Sequence, residues 1–165
     1  MNVTCFDVSH QRCQHPGWQQ IDPHVLGLPL IGAARRGADI ASTRLGLEQV
    51  RLLFFEPGPT VHTSADGIAP IDYLNILPYD PSLRGYFCHP DLVRPLTIWL
   101  NASLSALAVQ WVASHEIRHL WQARQGSEGD GEADADAFAW CLVAKRLTPM
   151  EIQCLAAELN FFMPT

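Results

Sequence analysis

Residues 103–125 read SLSALAVQWVASHEIRHLWQARQ and contain the strongest periodic signal in the chain. Within positions 104–112 the apolar residues recur three or four places apart, which is the period of an α-helix. Asn101 or Ser103 can cap the start of such a helix, and Gly126 is a typical residue just past its end. The sequence therefore predicts a long helix over this stretch.

This helix carries an H-E-x-x-H motif, His115-Glu116-Ile-Arg-His119. Residues four apart lie on one face of a helix, so both imidazoles can reach one zinc ion at about 2.0–2.1 Å. The two histidines continue the apolar stripe and should point toward the core. Glu116 lies beside them and is suited to act as general base on a zinc-activated water. The alternative interpretation is two core histidines and a solvated glutamate.

A catalytic zinc site needs a third protein ligand and an open position. Glu132 follows the polar loop 126–131, whose glycines would permit motion as a lid, and begins a second predicted helix over 132–146. Asp136 lies one turn later, where its carboxylate can accept the free N–H of a zinc-bound histidine and fix its tautomer. A helix N-terminus also favours carboxylates without any metal. Asp130 or Asp136 remains an alternative to Glu132 as the ligand.

The order of these residues along the chain resembles that in the gluzincin metallopeptidases. The resemblance is strongest to the ImmA/IrrE-like family. The stretch EADADAFA at 132–139 is similar to the E-x-E-A-(N/D)-x-F-A stretch that follows the motif in that family. The stretch PLTIWLN at 95–101 is similar to the strand ending in Asn before the active-site helix. The resemblance covers about residues 86–147. Arg118 departs from it, because the family usually has a small residue there.

The resemblance implies one Zn²⁺ per chain, held by His115, His119 and Glu132, with Glu116 as the catalytic base. It also implies that Asp136 accepts a hydrogen bond from a zinc-bound histidine. It also implies that an edge strand pairs with the extended substrate, as in β-augmentation. That strand would be 96–100, so substrate is expected to bind along Thr97, Ile98 and Trp99. The resemblance provides no residue to stabilise the oxyanion; the candidates are Tyr73, Tyr79, Tyr86, His62 and His89.

The rest of the chain favours an α+β fold, in which a small, mostly antiparallel sheet packs on the active-site helix together with two further helices, a zincin-like arrangement. Residues 1–165 are interpreted as one domain, with residues 1–30 as an extension that has no clear period and is in part disordered. The other predicted elements are a helix over 31–47, a helix beginning at Thr148, and strands at 49–56, 68–77, 86–88 and 95–100.

Composition restricts the class of partner. The chain has a net charge of −6, and its largest basic run is the pair Arg35-Arg36, so neither nucleic acid nor a membrane is an expected partner. It has no apolar run of about 18 residues and no signal peptide. Its 5 cysteines are scattered, which favours a reducing, cytoplasmic location. The expected partner is a protein or peptide substrate, and the oligomeric state is not predicted.

The sequence thus predicts a zinc-dependent metallopeptidase that hydrolyses peptide bonds of a specific protein substrate, with activity that is weak or highly selective. Two alternatives stay open: a zinc-binding sensor or interaction module with little or no peptidase activity, and a toxin or effector protease domain. A second metal site is conceivable near the N-terminus, although ordinary packing is the simpler interpretation. Its ligands would be Cys5, His10, Cys13 and His15.

Overall fold

The structure is a computed structural model, and it describes residues 18–57, 84–91, 93–126 and 131–160. Short 3-10 turns at Pro23–Val25 and Ala144–Arg146 supplement its helices and strands. In chain order these are β1 (Trp18–Ile21), α1 (Leu28–Leu45), β2 (Arg51–Pro57), β3 (Gly85–Phe87), β4 (Thr97–Asn101), α2 (Ala106–Gln125), α3 (Gly131–Val143) and α4 (Pro149–Glu158). The α+β class is therefore confirmed.

The four described strands form one sheet in the order β1-β2-β4-β3. The two outer pairings are antiparallel, whereas β2 and β4 run parallel, so the small sheet is mixed. Strand β4 has a partner on each side, and Thr97, Ile98 and Trp99 are each 0% exposed. The prediction that these three residues form a substrate-binding edge strand is wrong, because their backbone groups are used inside the sheet. The edge strand beside β4 is β3.

The sheet separates two apolar layers because side chains alternate between its faces. Ile98 and Leu100 join the main core with the helices. Trp99 points to the other face, where it packs with Phe55 and Tyr86. The rings of Tyr86 and Trp99 stack with their centroids 6.0 Å apart. The layer that contains Ile98 and Leu100 also includes residues of the helix that carries the histidines.

Helix α2 begins three residues later than predicted and is capped by Ser105, whose hydroxyl accepts a hydrogen bond from the Ala108 N–H at 3.2 Å. Asn101 instead accepts from the Ser103 N–H within the preceding turn. Gly126 ends the helix with φ +65°, a conformation that glycine adopts without strain.

Helix α1 packs closely across α2. A Cβ atom on Gly37 would lie 2.4 Å from the carbonyl oxygen of Gln110, so only glycine permits this approach. The facing surface of α1 is built from small buried residues, namely Ala33, Ala34, Ala38 and Ala41. Helix α3 packs on α2 as well and also contacts α1.

The remaining sequence predictions have mixed outcomes. The helix predicted over 31–47 begins earlier, at Leu28, and residues 18–30 contribute β1 and the first turn of α1. The capping box at Thr148 and Glu151 is confirmed. The predicted strand at 68–77 and the N-terminal Cys/His cluster lie outside the described residues.

Cys88 is buried and disulfide-bonded, whereas Cys141 and Cys154 are free. Disulfides are rare in reducing compartments. This bond does not agree with the interpretation of the cysteines as a sign of a reducing environment, and a cytoplasmic location stays a prediction. Among the described helices, none combines the length and apolarity that a membrane span requires.

Candidate metal centre

Three side chains from two helices converge on one point. His115 and His119 of α2 bring their Nε2 atoms to 3.0 Å from each other. Glu132, in the first turn of α3, places one carboxylate oxygen 3.3 Å from the Nε2 of His115 and the other 3.1 Å from the Nε2 of His119. Among the described residues, this is the group of His, Cys, Asp and Glu side chains that could hold a metal ion.

The spacing and chemistry of this group fit a zinc ion. Ligand atoms about 2.0–2.1 Å from a tetrahedral zinc are about 3.3–3.4 Å from one another. The Nε2–Nε2 separation of 3.0 Å is near such an edge, and each Nε2 has a different oxygen of Glu132 at 3.1 or 3.3 Å. Two imidazoles and one carboxylate are also a donor set of catalytic zinc sites, which keep a further position for water or substrate.

Asp136 lies next to the Nδ1 atom of His115. Its Oδ1 lies 3.0 Å from the Nδ1 of His115, an ion-pair distance, although the direction departs from that of a good hydrogen bond. The alternative in which Asp136 replaces Glu132 as a ligand is not supported. The Asp136 carboxylate faces the Nδ1 atom of His115 and not the converging Nε2 atoms. Asp130, the other alternative, lies outside the described residues.

The two histidines have opposite pKa shifts. Burial lowers the pKa of His115, but its hydrogen bond with Glu132 and the negative charges of Glu116, Glu132 and Asp136 outweigh burial, so the net shift is upward. Burial and the neighbouring positive His115 lower the pKa of His119. The Nε2 atoms of the two rings lie 3.0 Å apart, so at most one of them carries a proton toward the other.

The side-chain amide of Gln122 lies next to the Nδ1 atom of His119. The Nδ1 of His119 lies 2.8 Å from the Oε1 of Gln122, one turn further along α2. The amide nitrogen of Gln122 donates to the Gly131 carbonyl at 3.0 Å and to Asp134 Oδ2 at 2.8 Å. Gln122 thus joins a histidine of α2 to the first turn of α3. The helical spacing of His119 and Gln122 could have suggested their contact, but the partners on α3 could not be read from the sequence.

Glu116 is a buried carboxylate next to these ligands, with 6% of its surface exposed. Burial raises its pKa to about 7, and the positive charge of His115 offsets part of that rise. A general base is most effective when its pKa lies near the working pH. In the metal-free protein Glu116 is therefore a carboxyl group with raised proton affinity beside the two histidines.

The group opens into a cleft of about 210 Å³ lined by α2, by β3 and by Glu132. Phe87 of the edge strand stacks on His119 with ring centroids 5.5 Å apart. Arg84, just before β3, is the cationic Arg or Lys among the described lining residues. Its guanidinium donates to the Leu159 carbonyl at 2.7 Å and lies 5.8 Å from the centre of the Trp111 ring.

The oxyanion candidates from the sequence do not reach this cleft as donors. Tyr86 contributes to its wall, but its ring lies on the opposite face of the sheet against Trp99. His89 is exposed and accepts a hydrogen bond from the Asp91 N–H, away from the cleft lining. The other candidates, Tyr73, Tyr79 and His62, lie outside the described residues. Sequence reasoning missed Arg84, because nothing near it in the chain marks it as part of the site.

Comparison of the chain with family models, with curated proteins and with solved structures finds no match.

Proposed function

We propose that this protein is a zincin-like, zinc-dependent metallopeptidase that hydrolyses peptide bonds of a protein substrate. The observation that carries the proposal is the buried carboxylate of Glu116 beside a two-histidine, one-carboxylate group at a cleft. The cleft also favours an enzyme over a purely structural zinc module. Structural zinc sites are closed by four protein ligands, whereas three such side chains converge among the residues that the structure describes.

Zinc held by His115, His119 and Glu132 would polarise the scissile carbonyl and lower the pKa of water. Glu116 takes the proton from the attacking water. The same carboxyl group then gives the proton to the leaving amine, so it returns to its starting state. Asp136 holds the ring of His115 in place throughout, from its 3.0 Å contact with Nδ1.

Arg84 is proposed to stabilise the negative charge that develops on the carbonyl oxygen. It lines the same cleft as Glu116, and its hydrogen bond to Leu159 at 2.7 Å restrains the guanidinium. Its positive charge is one of the contributions that lower the pKa values of the Glu116, Glu132 and Asp136 carboxyl groups. A preorganised positive group in a cleft is worth most where charge appears during the reaction.

The extended substrate is proposed to pair with β3. In the β3–β4 ladder, Cys88 N donates to Thr97 O at 3.0 Å and Asn101 N donates to Arg84 O at 2.8 Å. Because hydrogen bonding alternates along an antiparallel strand, the backbone groups of Gly85 and Phe87 point to the outer edge. No described strand pairs with that edge. A peptide added there would run beside Glu116 and His119.

The proposal is tested by incubating the zinc-loaded protein with a mixture of unfolded protein substrates and identifying new peptide termini by mass spectrometry. Glu116→Gln serves as the matched control, because it keeps the shape of the side chain and the ligands but removes the base. We expect cleavage by the wild-type protein and a loss of at least about 100-fold in the variant. Equal cleavage by both proteins, or no cleavage by either, would contradict the proposal.

A further inference from the structure

We propose that Gln122 is a positioning residue that fixes His119 with its proton on Nδ1, so that the lone pair of Nε2 is directed at the metal position. The inference rests on the proposed metal centre and deepens it. The hydrogen-bond partners of Gln122 are His119, Gly131 and Asp134. Of these three residues, only His119 is a proposed metal ligand.

The orientation of the Gln122 amide follows from its neighbours. One end of the amide is within hydrogen-bond distance of two acceptors, the Gly131 carbonyl at 3.0 Å and the Asp134 carboxylate at 2.8 Å. Only the NH₂ group can satisfy two acceptors, and a flipped amide would place oxygen against oxygen at both contacts. The Oε1 atom must therefore face His119 Nδ1, 2.8 Å away. An oxygen there accepts a hydrogen bond only from a protonated Nδ1.

Asp134 is itself held in place by Arg118. The guanidinium donates to the two carboxylate oxygens through Nε at 2.6 Å and Nη2 at 3.0 Å, a bidentate pair. The same guanidinium lies 4.2 Å from the centre of the Trp121 ring and 5.1 Å from that of Phe138. A planar, stacked and bidentate group is well restrained. Arg118, the departure from the resemblance, thus acts through Asp134 and Gln122 on His119.

The same contacts restrain the third ligand. Gly131 immediately precedes Glu132, and its carbonyl accepts from Gln122. A Cβ atom on Gly131 would lie 3.0 Å from Gln122 Oε1, so a side chain there would crowd the amide. One side chain of α2 therefore sets the tautomer of His119 and the approach of Glu132. This coupling predicts that loss of Gln122 weakens zinc binding although Gln122 does not touch the ion.

The test measures the zinc affinity of wild-type, Gln122→Met and Gln110→Met proteins by competition with a chromophoric chelator. Gln110 is a matched control, because it lies on α2 and lines a different cleft, away from the histidines. Loss of a side chain that hydrogen-bonds to a metal ligand typically lowers metal affinity by about 10- to 100-fold. We expect a loss of that size for Gln122→Met and less than about threefold for Gln110→Met. Asp134→Ala, which keeps the amide but removes one of its acceptors, should show a smaller loss.

A second readout distinguishes tautomer control from a general loss of structure. Nitrogen-15 NMR of the zinc-free protein, in mildly alkaline buffer, reports which ring nitrogen of His119 carries the proton. We expect the Nδ1–H form in the wild-type protein and a mixture in Gln122→Met. The Nε2–H form in the wild type, or unchanged zinc affinity in Gln122→Met, would overturn the inference. A wild-type protein that binds no zinc would contradict the proposed function instead, and the NMR result would still decide the tautomer.

Discussion

Gly85 of the edge strand lies directly against Glu116 of α2. A Cβ atom on Gly85 would be 3.4 Å from Glu116 Cγ, 2.7 Å from Val112 Cγ1 and 2.8 Å from the Trp99 carbonyl oxygen. A residue with no side chain therefore lets the strand approach the helix closely enough for the base to sit beside the outer backbone edge. The proposed substrate path and the proposed base are neighbours because of this one glycine.

Gly85→Ala should separate the strand from the helix. The added methyl group meets the backbone of Trp99, which cannot rotate away, so we expect a loss of about 1–3 kcal/mol in the free energy of unfolding. Urea unfolding measures this change. Gly32→Ala is the control, since its new methyl would meet only the flexible end of Arg36 at 3.4 Å, and it should be neutral or slightly stabilising. Equal effects of the two substitutions would contradict the close approach.

Glu116→Gln should stabilise the metal-free protein near neutral pH. The folded-state pKa of Glu116 is about 7, above the ordinary value of 4.5, so the folded state resists its ionisation. The wild type therefore loses stability relative to Glu116→Gln as the pH rises from about 4.5 to about 7, by up to about 3 kcal/mol. Urea unfolding of both proteins across this range checks the trend. A constant difference at all pH values would show that the carboxyl group titrates normally.

Arg84→Met should lower kcat without removing zinc. Loss of one group that stabilises the oxyanion costs about 100- to 1000-fold in rate, whereas the ligands stay intact. Arg84→Lys, which keeps the charge, should retain part of the activity. Arg124→Met is the control, because Arg124 pairs with Glu48 outside the cleft. A variant of Arg84 with wild-type kcat would remove this residue from the mechanism.

Zinc binding should weaken on acidification. The pKa of His115 is raised in the metal-free protein, and its Nε2 must lose its proton before it can bind a metal. Affinity should therefore rise with pH until the pH exceeds the pKa of His115, and then level off. Calorimetry in buffers of different ionisation enthalpy measures the protons released per zinc. No proton release on the acidic side of that pKa would contradict the raised pKa of His115.

The sequence predicted the elements that depend on local pattern. The helix of the H-E-x-x-H motif, the following helix and the capping box at Thr148 all carry periodic or capping signals within a few residues, and the structure contains them. Glu132 was assigned through the family resemblance, and the structure brings it to the two histidines. Helical spacing alone placed His115 and His119 on one face. Such features need only neighbours along the chain.

The predictions that failed depend on partners far away in the chain. The strand order could not be deduced, because β4 owes its inner position to a parallel pairing with β2, about 45 residues earlier. For the same reason Thr97, Ile98 and Trp99 were assigned to an edge. Arg84 and the contact between Gln122 and Asp134 were missed because each joins separate elements. Their spacing along the sequence carries no periodic signal.

The measurement that tests the central claim most directly is the zinc content per chain after dialysis against limiting zinc, for the wild type and for His119→Ala. One zinc per wild-type chain and none in the variant is the predicted result, since His119 supplies one of three ligands. Gln110→Met should retain the metal. A wild-type protein that takes up no zinc at neutral pH, or a His119→Ala protein that retains it, would contradict the account.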